Sequence, residues 1–518
     1  MLETYMKMVP LSLTTQALLL GVTVGLVTYY TFGKKKYKLP PGPWCLPLIG
    51  HLFAMNSSTP FYRQLLEWRK KYGPSMTIYM GPIRCVVLND VETVNEALVK
   101  KGADYAGRFK TYSVEVFTSG YKDIAMADVS PAWKHLRKIA LQGLRQYLYR
   151  SKLEEIVYFR QYLYGSKLEE KVFDSTCKVM RSLKEEEGKP IDIQKYIGLL
   201  VCNLLHGVCF NKSFDINDKQ FLRLLHVFEY TNKEVGNGFW EDIIPPLRRY
   251  PTAKFKRIIE TYNIFMNFIR DEYAAHKDNF SDDDMKDFTD YLIHARRQAI
   301  LEDPEIENVI TDEHLVQTCS DIYSAGIDTT RQTIYWTILL LIAHPEIQKK
   351  VQAEVDHVID AGQAPTLNDR ERLPYTEAVL HESMRFCPIA PFGFPHATRC
   401  DTTIGEYEIP KGTMVMINHW ALHNDPETWK DPEIFRPERL LDDDGNLAPK
   451  TMSWLPFSAG RRNCLGETIA RPEMHLILAI LLRNFTFRCP EGKTIDLTPD
   501  GSLTFLPRKS DVIVEARK

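Results

Sequence analysis

Between Phe457 and Gly466 the chain reads Phe-Ser-Ala-Gly-Arg-Arg-Asn-Cys-Leu-Gly. A stretch of this kind can hold a thiolate against a metal. Gly460 and Gly466 allow the backbone to approach closely, and the amides of a loop entering a helix donate to the sulfur and lower its pKa. Cys464 is therefore the candidate ligand. Arg462 adds a positive charge suited to an anionic group, and Phe457 would shield the sulfur, since burial and surrounding hydrogen bonds tune a metal ligand. The competing reading is a plain buried cysteine. None of the other nine cysteines stands in such a setting, and no two are spaced C-x-x-C, which argues against a zinc site or a disulfide framework and for a reducing compartment.

Three further groupings could act with this loop. Glu382 and Arg385 are three apart, so on a helix they share a face, and Arg439 is a second cation available to them. Trp133 and Arg137 are four apart and also share a helix face. Ala325-Gly326-Ile327-Asp328-Thr329-Thr330 sets glycine among acidic and β-branched residues in the middle of a strongly helical run. That composition predicts a local opening of the helix, where a hydroxyl could hold a small ligand and water.

The elements that must position these residues are mainly helical. Residues 312–343 contain no proline, and Leu315, Cys319, Ile322, Tyr323 and Ile327 recur at helical spacing, predicting one helix of about nine turns. Its second half, TIYWTILLLIAH, is apolar on nearly all sides and belongs in the middle of a large fold. His344-Pro345 ends it and an amphipathic helix restarts with proline in its first turn. Short β-like runs precede the helices at Met76 to Tyr79 and Cys85 to Leu88. Proline-rich and β-like segments follow Cys387, and a last helix covers residues 467–484.

Residues 9–32 carry no charge and are long enough to cross the roughly 30 Å hydrocarbon core, so residues 1–33 are expected to form a retained membrane anchor. Lys34, Lys35, Lys36 and Lys38 then hold everything that follows in the cytosol by the positive-inside rule. Residues 34–43 are a basic, proline-rich linker and 44–518 a single large domain with no second boundary. The sequence RQYLYRSKLEE at 145–155 returns as RQYLYGSKLEE at 160–170, a near-identical tandem duplication whose 15-residue offset is too short for a solenoid. It is read as a recent duplication or a sequence error. Of the 518 residues 44% are hydrophobic and 25% charged, the composition of a globular protein, and a net charge of −2 argues against nucleic acid as a partner.

The loop around Cys464 resembles the cytochrome P450 signature F-x-x-G-x-R-x-C-x-G, and the resemblance extends along the chain from the anchor onward. It implies the fold of that family: mainly α with small β-sheets. It implies haem b with Cys464 as axial thiolate, an electron-pushing ligand for O–O cleavage. Phe457, Arg462 and Gly466 would surround the cofactor, and Arg108, Trp133, Arg137 and His396 match positions that reach its propionates. Glu382, Arg385 and Arg439 resemble the family's structural triad. Asp328 and Thr329 fit the pattern [AG]-G-x-[DE]-T-[TS] and would deliver protons. The two departures, Ser458 where glycine is frequent and Pro472 inside the last helix, lie outside the fixed positions; the proline would bend the helix.

The implied activity is a monooxygenase reaction on a lipophilic small molecule. No dinucleotide fingerprint occurs in the chain, so electrons would come from NADPH–cytochrome P450 reductase, docking near Lys134, Lys138 and Arg461, with cytochrome b5 as a further partner. The expected location is the endoplasmic reticulum membrane, single-pass, with the catalytic domain cytosolic. PHATRCDTTIGEYEIPKGT is similar to steroid 17-alpha-hydroxylase-like members, and DPEIFRPERLL to aryl-hydrocarbon-hydroxylase-like ones. A steroid is preferred, with Phe109, Tyr112, Phe117, Phe392 and Phe394 as candidate pocket walls and Asn232 as a candidate polar contact. The alternatives are a xenobiotic monooxygenase, a peroxide-rearranging relative, and a haem protein without catalysis.

Overall fold

The computed structural model describes residue 21 and residues 37–517 apart from 47–48, 56–58, 147–165, 237 and 502–503. The expected anchor, all but Arg145 and Gln146 of the first duplicated copy, and the start of the second copy therefore lie outside the described residues.

The helices that position the site are labelled α1 Pro131–Arg145, α2 Lys167–Glu185, α3 Ile193–Phe210, α4 Lys219–Gly236, α5 Ala253–Asp278, α6 Asp312–Ala343, α7 Pro345–Val358, α8 Pro374–Phe386 and α9 Glu467–Asn484. Their ends follow local chemistry. Ser130 caps α1 by accepting from the Trp133 amide, with Pro131 in the first turn where no amide is missed. Ser166 and Glu169 form a reciprocal capping box at the start of α2. Asn211 ends α3 in the left-handed conformation that asparagine tolerates.

α6 has the predicted bounds and runs through the core: Tyr335, Ile338, Leu339, Leu340 and Leu341 are all fully buried. The predicted opening at Ala325–Thr330 is absent, since the helix stays α throughout. Ser324, Thr329, Thr333 and Thr337 each donate their hydroxyl to the carbonyl four residues back, so polar side chains are satisfied within the helix. Gly326 serves packing instead. A Cβ there would lie 2.9 Å from Leu205 of α3, and its absence lets the two helices approach. α3 is the one described helix long and apolar enough to cross a membrane, and it is mostly buried inside the fold, as a core helix would be.

A five-stranded mixed sheet flanks the helices. Its strands are β1 Ser75–Met80, β2 Ile83–Leu88, β3 Gly107–Arg108, β4 His396–Ala397 and β7 Met414–Ile417, in the order β1-β2-β7-β4-β3. β2 and β7 are parallel, with Cys85 opposite Met414, and the other pairs are antiparallel. Between β4 and β7 the hairpin β5 Thr402–Ile404 and β6 Tyr407–Ile409 stands apart. A second sheet joins the strands Pro190–Asp192, Asp511–Ala516 and Phe485–Arg488.

Candidate functional site

The loop carrying Cys464 is shaped by backbone constraints at two positions. Gly460 has φ +73, and a Cβ there would sit 2.0 Å from the Leu98 carbonyl oxygen, so glycine is required for the loop to lie against Glu96–Lys100. Ser458 takes φ +59, a left-handed conformation where glycine would be unstrained, which gives the departure at this position a physical cost. The Cys464 amide donates to the Phe457 carbonyl at 2.9 Å, closing the loop just before α9. Phe457 packs against the main core with its ring 6.5 Å from Trp454. Pro472 lies within α9, which continues through it.

Cys464 lies deep in the protein, yet a water-sized sphere reaches it. Burial pushes its thiol up, and the amides of Gly466 and Glu467 pull it down. Gly466 is the N-cap of α9, and a Cβ on it would lie 3.9 Å from the sulfur. Ala325 and Thr329, one turn apart on α6, are likewise accessible in the midst of a buried helix. The two helices are tied together next to these positions, where the Thr330 hydroxyl donates to Glu473 of α9 at 3.0 Å.

Beside the loop, two cationic side chains, Arg108 on β3 and Arg462, are buried together with the uncharged imidazole of His396 on β4. They satisfy themselves on carbonyls. Arg462 donates from Nε to Ala106 at 2.8 Å and from Nη2 to Ala127 at 2.6 Å. Arg108 donates to Ala125 and Phe394, each at 2.9 Å, and His396 Nδ1 meets the Tyr105 carbonyl at 2.9 Å. Trp133 lies between two guanidinium groups, Arg462 at 4.2 Å and Arg137 at 5.7 Å from its ring centre, and its indole N–H donates to Ile124. Arg137 reaches the thiolate loop itself, donating to the Asn463 carbonyl at 2.6 Å.

Burial and mutual repulsion hold these groups away from their ordinary values: Arg108 at about 9, Arg462 at about 10, His396 at about 3. A cluster of buried donors with surplus positive charge, adjoining an accessible thiol, suits a ligand with two carboxylates and a metal. Haem is such a ligand, and the residues present fit it.

The predicted acid and hydroxyl are separated in direction. The Thr329 hydroxyl donates back to Ala325 at 2.8 Å, whereas the Asp328 carboxylate accepts from Asn232 of α4 at 2.7 Å and from Thr504 at 3.3 Å. Arg331 stands 3.8 Å away. Burial raises the Asp328 pKa, and Arg331 opposes the rise. Asn232 is thus engaged at the α4–α6 junction.

The predicted triad is assembled. Arg385 donates twice to Glu382, each bond 2.8 Å, and Arg439 donates to the same carboxylate at 3.0 Å. Glu382 and Arg385 are fully buried. Lys134, Lys138 and Arg461 are exposed. The aromatic candidates divide. Tyr112 and Phe117 join Phe239, Phe255 and Tyr262 in one aromatic group. Phe109 and Phe392 instead pack on the sheet, Phe392 against Phe61 at 5.7 Å, and Phe394 is exposed.

Two constellations escaped the sequence reading. Asp321, two turns before Thr329 on the same stripe of α6, accepts from the amides of Ile124 at 2.7 Å and Ala125 at 3.1 Å, in the loop whose carbonyls receive Arg108, Arg462 and Trp133. Burial and then Asp123 drive Asp321 well above the carboxylate range, and burial lifts Asp123 to about 6. The second constellation centres on Glu377 of α8, which meets Arg370 at 3.0 Å, His381 at 3.0 Å, His475 at 2.9 Å and Arg471 at 3.2 Å. The first joins residues 196 and 197 positions apart; the second includes Glu377 and His381 at i,i+4 on α8 but is completed by Arg471, 94 positions on, which no local pattern marks.

A family model described as Cytochrome P450 matches residues 40–514. Among curated proteins, a steroid 17-alpha-hydroxylase/17,20 lyase of Ictalurus punctatus is 34% identical over 487 residues, covering 93% of this chain and 91% of that protein. The same-named protein of Gallus gallus is 33% identical, covering 91% of this chain and 89% of that protein. A cytochrome P450 1A1 of Platichthys flesus is also 33% identical, covering 90% of this chain and 88% of that protein.

Proposed function

Because the chain belongs to the cytochrome P450 family, whose members are haem-thiolate monooxygenases supplied with NADPH electrons through a reductase, we propose that it hydroxylates a compact lipophile, a steroid in preference to a flat xenobiotic. Haem bound through the Cys464 thiolate supplies the activation of dioxygen. The chain's own residues do the rest. Arg108, Arg137, Arg462 and His396, with Trp133 between two of them, would hold the propionates when the cofactor is bound. Thr329 presents a hydroxyl on the accessible face of α6, and the neighbouring Asp328, whose pKa burial raises, is the proposed carrier of protons to it. Phe457, packed against the main core, fixes the start of the loop that carries the sulfur. The anchor, the linker and the domain bounds read from the sequence complete the proposal, placing the enzyme on the endoplasmic reticulum membrane with its exposed Lys134, Lys138 and Arg461 available to the reductase.

The observation that carries the site assignment is the accessible Cys464 side chain beside two buried guanidinium groups, Arg108 and Arg462, which donate to carbonyls and among the described residues form no ion pair with a carboxylate. Cys464→His tests it. The ferrous, CO-bound spectrum should lose its thiolate band, and a surviving band would overturn the assignment. The substrate class is tested by titrating the purified protein with steroids, planar aromatics and fatty acids while watching the spectral shift that accompanies loss of the iron-bound water. Preference for planar aromatics over steroids would select the xenobiotic role, and a response to fatty acids alone would refute both.

A further inference from the structure

On the outer side of the β3–β4 edge lies a cleft of about 460 Å³ lined by Arg108, Lys110, Arg399, Lys411 and Asp128, with Gly107 and Gly412 keeping its floor low. The Arg108 guanidinium turns inward to Ala125 and Phe394, and Lys110 pairs with Asp128 at 3.0 Å. Arg399 and Lys411 remain. Both are exposed, and among the described residues neither has an ion pair or a side-chain hydrogen bond. The Arg399 stem lies across Gly107, where a Cβ would come within 3.1 Å of its Cγ.

The position of the cleft narrows the kind of anion it takes. The Asp401 carboxylate accepts from the Lys411 amide at 2.8 Å on one oxygen and from the Tyr37 hydroxyl at 3.3 Å on the other. Lys38 is held on the adjoining hairpin, its amide donating to Glu408 at 2.9 Å and its carbonyl accepting from the Glu408 amide at 2.8 Å. Tyr37 follows the Lys34-Lys35-Lys36 run that closes the uncharged segment 9–32. The cleft is therefore one carboxylate away from the point where the chain would leave a bilayer.

We infer that the Arg399–Lys411 cleft binds the phosphate of an anionic phospholipid headgroup. The choice of a lipid as the source of the phosphate rests on the proposed anchor, and the binding site itself does not. Basic groups at a membrane surface each contribute about a fivefold gain in affinity for anionic lipid.

The test uses the full chain in neutral, phosphorus-free detergent, titrated with dihexanoyl phosphatidylserine below its micellar concentration and followed by phosphorus NMR line broadening. Dihexanoyl phosphatidylcholine and inorganic phosphate are titrated in parallel. Phosphatidylserine should bind best, and Arg399→Gln/Lys411→Gln, which removes two charge-assisted contacts to the phosphate, should weaken it at least about tenfold. Lys184→Gln/Lys349→Gln, which removes two exposed charges elsewhere, should leave it unchanged. Equal loss in both double variants would show only general charge attraction and overturn the inference. Equal binding of inorganic phosphate would make the cleft a free-phosphate site. Loss of reductase affinity with unchanged lipid binding would make it a protein-docking surface. The anchor is judged separately: release of the full chain from membranes by alkaline carbonate would refute that reading whatever the NMR shows.

Discussion

Replacing Glu382 by glutamine should be among the most destabilising single changes of near-equal volume in this protein. Its carboxylate is fully buried and receives four donors: Arg385 Nε and Nη2 at 2.8 Å, Arg439 Nε at 3.0 Å and the Arg436 amide at 3.1 Å. Arg385 is as buried as its partner and has two further acceptors, the carbonyls of His423 at 2.8 Å and Pro432 at 2.9 Å. An amide in place of the carboxylate leaves two guanidinium groups without a counter-charge in a site closed to water, and turns one new N–H toward donors. Breaking a buried pair in this manner costs about 3–5 kcal/mol, roughly two to four decades in the folding equilibrium. The Arg436 side chain is half-exposed and contributes only its backbone amide, so Arg436→Ala should cost less than about 1 kcal/mol. Urea unfolding followed by far-UV circular dichroism gives the midpoints, and the thiolate band of the ferrous CO complex reports the fraction of protein still holding haem correctly. A Glu382→Gln protein within about 1 kcal/mol of wild type, with its thiolate band intact, would refute the claim that this carboxylate secures α8 to the segment carrying Pro432, Arg436 and Arg439.

Thr329→Ala should keep haem and substrate binding but lower product formed per NADPH, the excess electrons appearing as peroxide; unchanged coupling would make Thr329 an ordinary core residue. Ser458→Gly should raise stability by about 1 kcal/mol, because it relieves a left-handed φ of +59, and a drop in the urea midpoint would contradict the strain argument. Glu473 is buried, its one side-chain partner among the described residues is Thr330, and burial lifts its carboxyl from 4.5 to about 7. Between those values the unfolded chain ionises first, so stability should fall by about 3 kcal/mol as pH rises from 4.5 to 7. Glu473→Gln should remove that part of the slope, measured as midpoints at pH 5 and pH 7.5, and an identical slope in the variant would show that the carboxyl titrates normally.

The sequence carried those features whose physics is local. The Cys464 loop was readable because glycine, arginine and cysteine at fixed spacing state a backbone shape and a charge together. The bounds of α6 were readable because proline and periodicity mark them. Gly326 was misread for an instructive reason: low helix propensity signals a break only if nothing else uses the missing side chain, and here Leu205 of α3 occupies that space. Local spacing also could not show that Asp328 faces Asn232 and Thr504, which lie 96 and 176 positions away. The same holds for Asp321, whose partners are amides that no side-chain pattern reveals. Phe392 was read as a pocket wall from its place after the E-x-x-R helix, but the sheet offered it Phe61.

The parallel pairing of β2 with β7 sets a timetable for synthesis. Leu88 and Met414 bound strands that cannot meet until the later one has left the ribosome. At about 5–20 residues per second that interval lasts roughly 16–65 s, during which β2 presents an unpaired, apolar edge. Cys464 emerges later still, so the nascent chain cannot hold its cofactor while that edge is open. Newly made protein should therefore depend on chaperones that shield strand edges, and a cell short of haem should accumulate chains whose sheet is complete but whose loop has nothing to close upon.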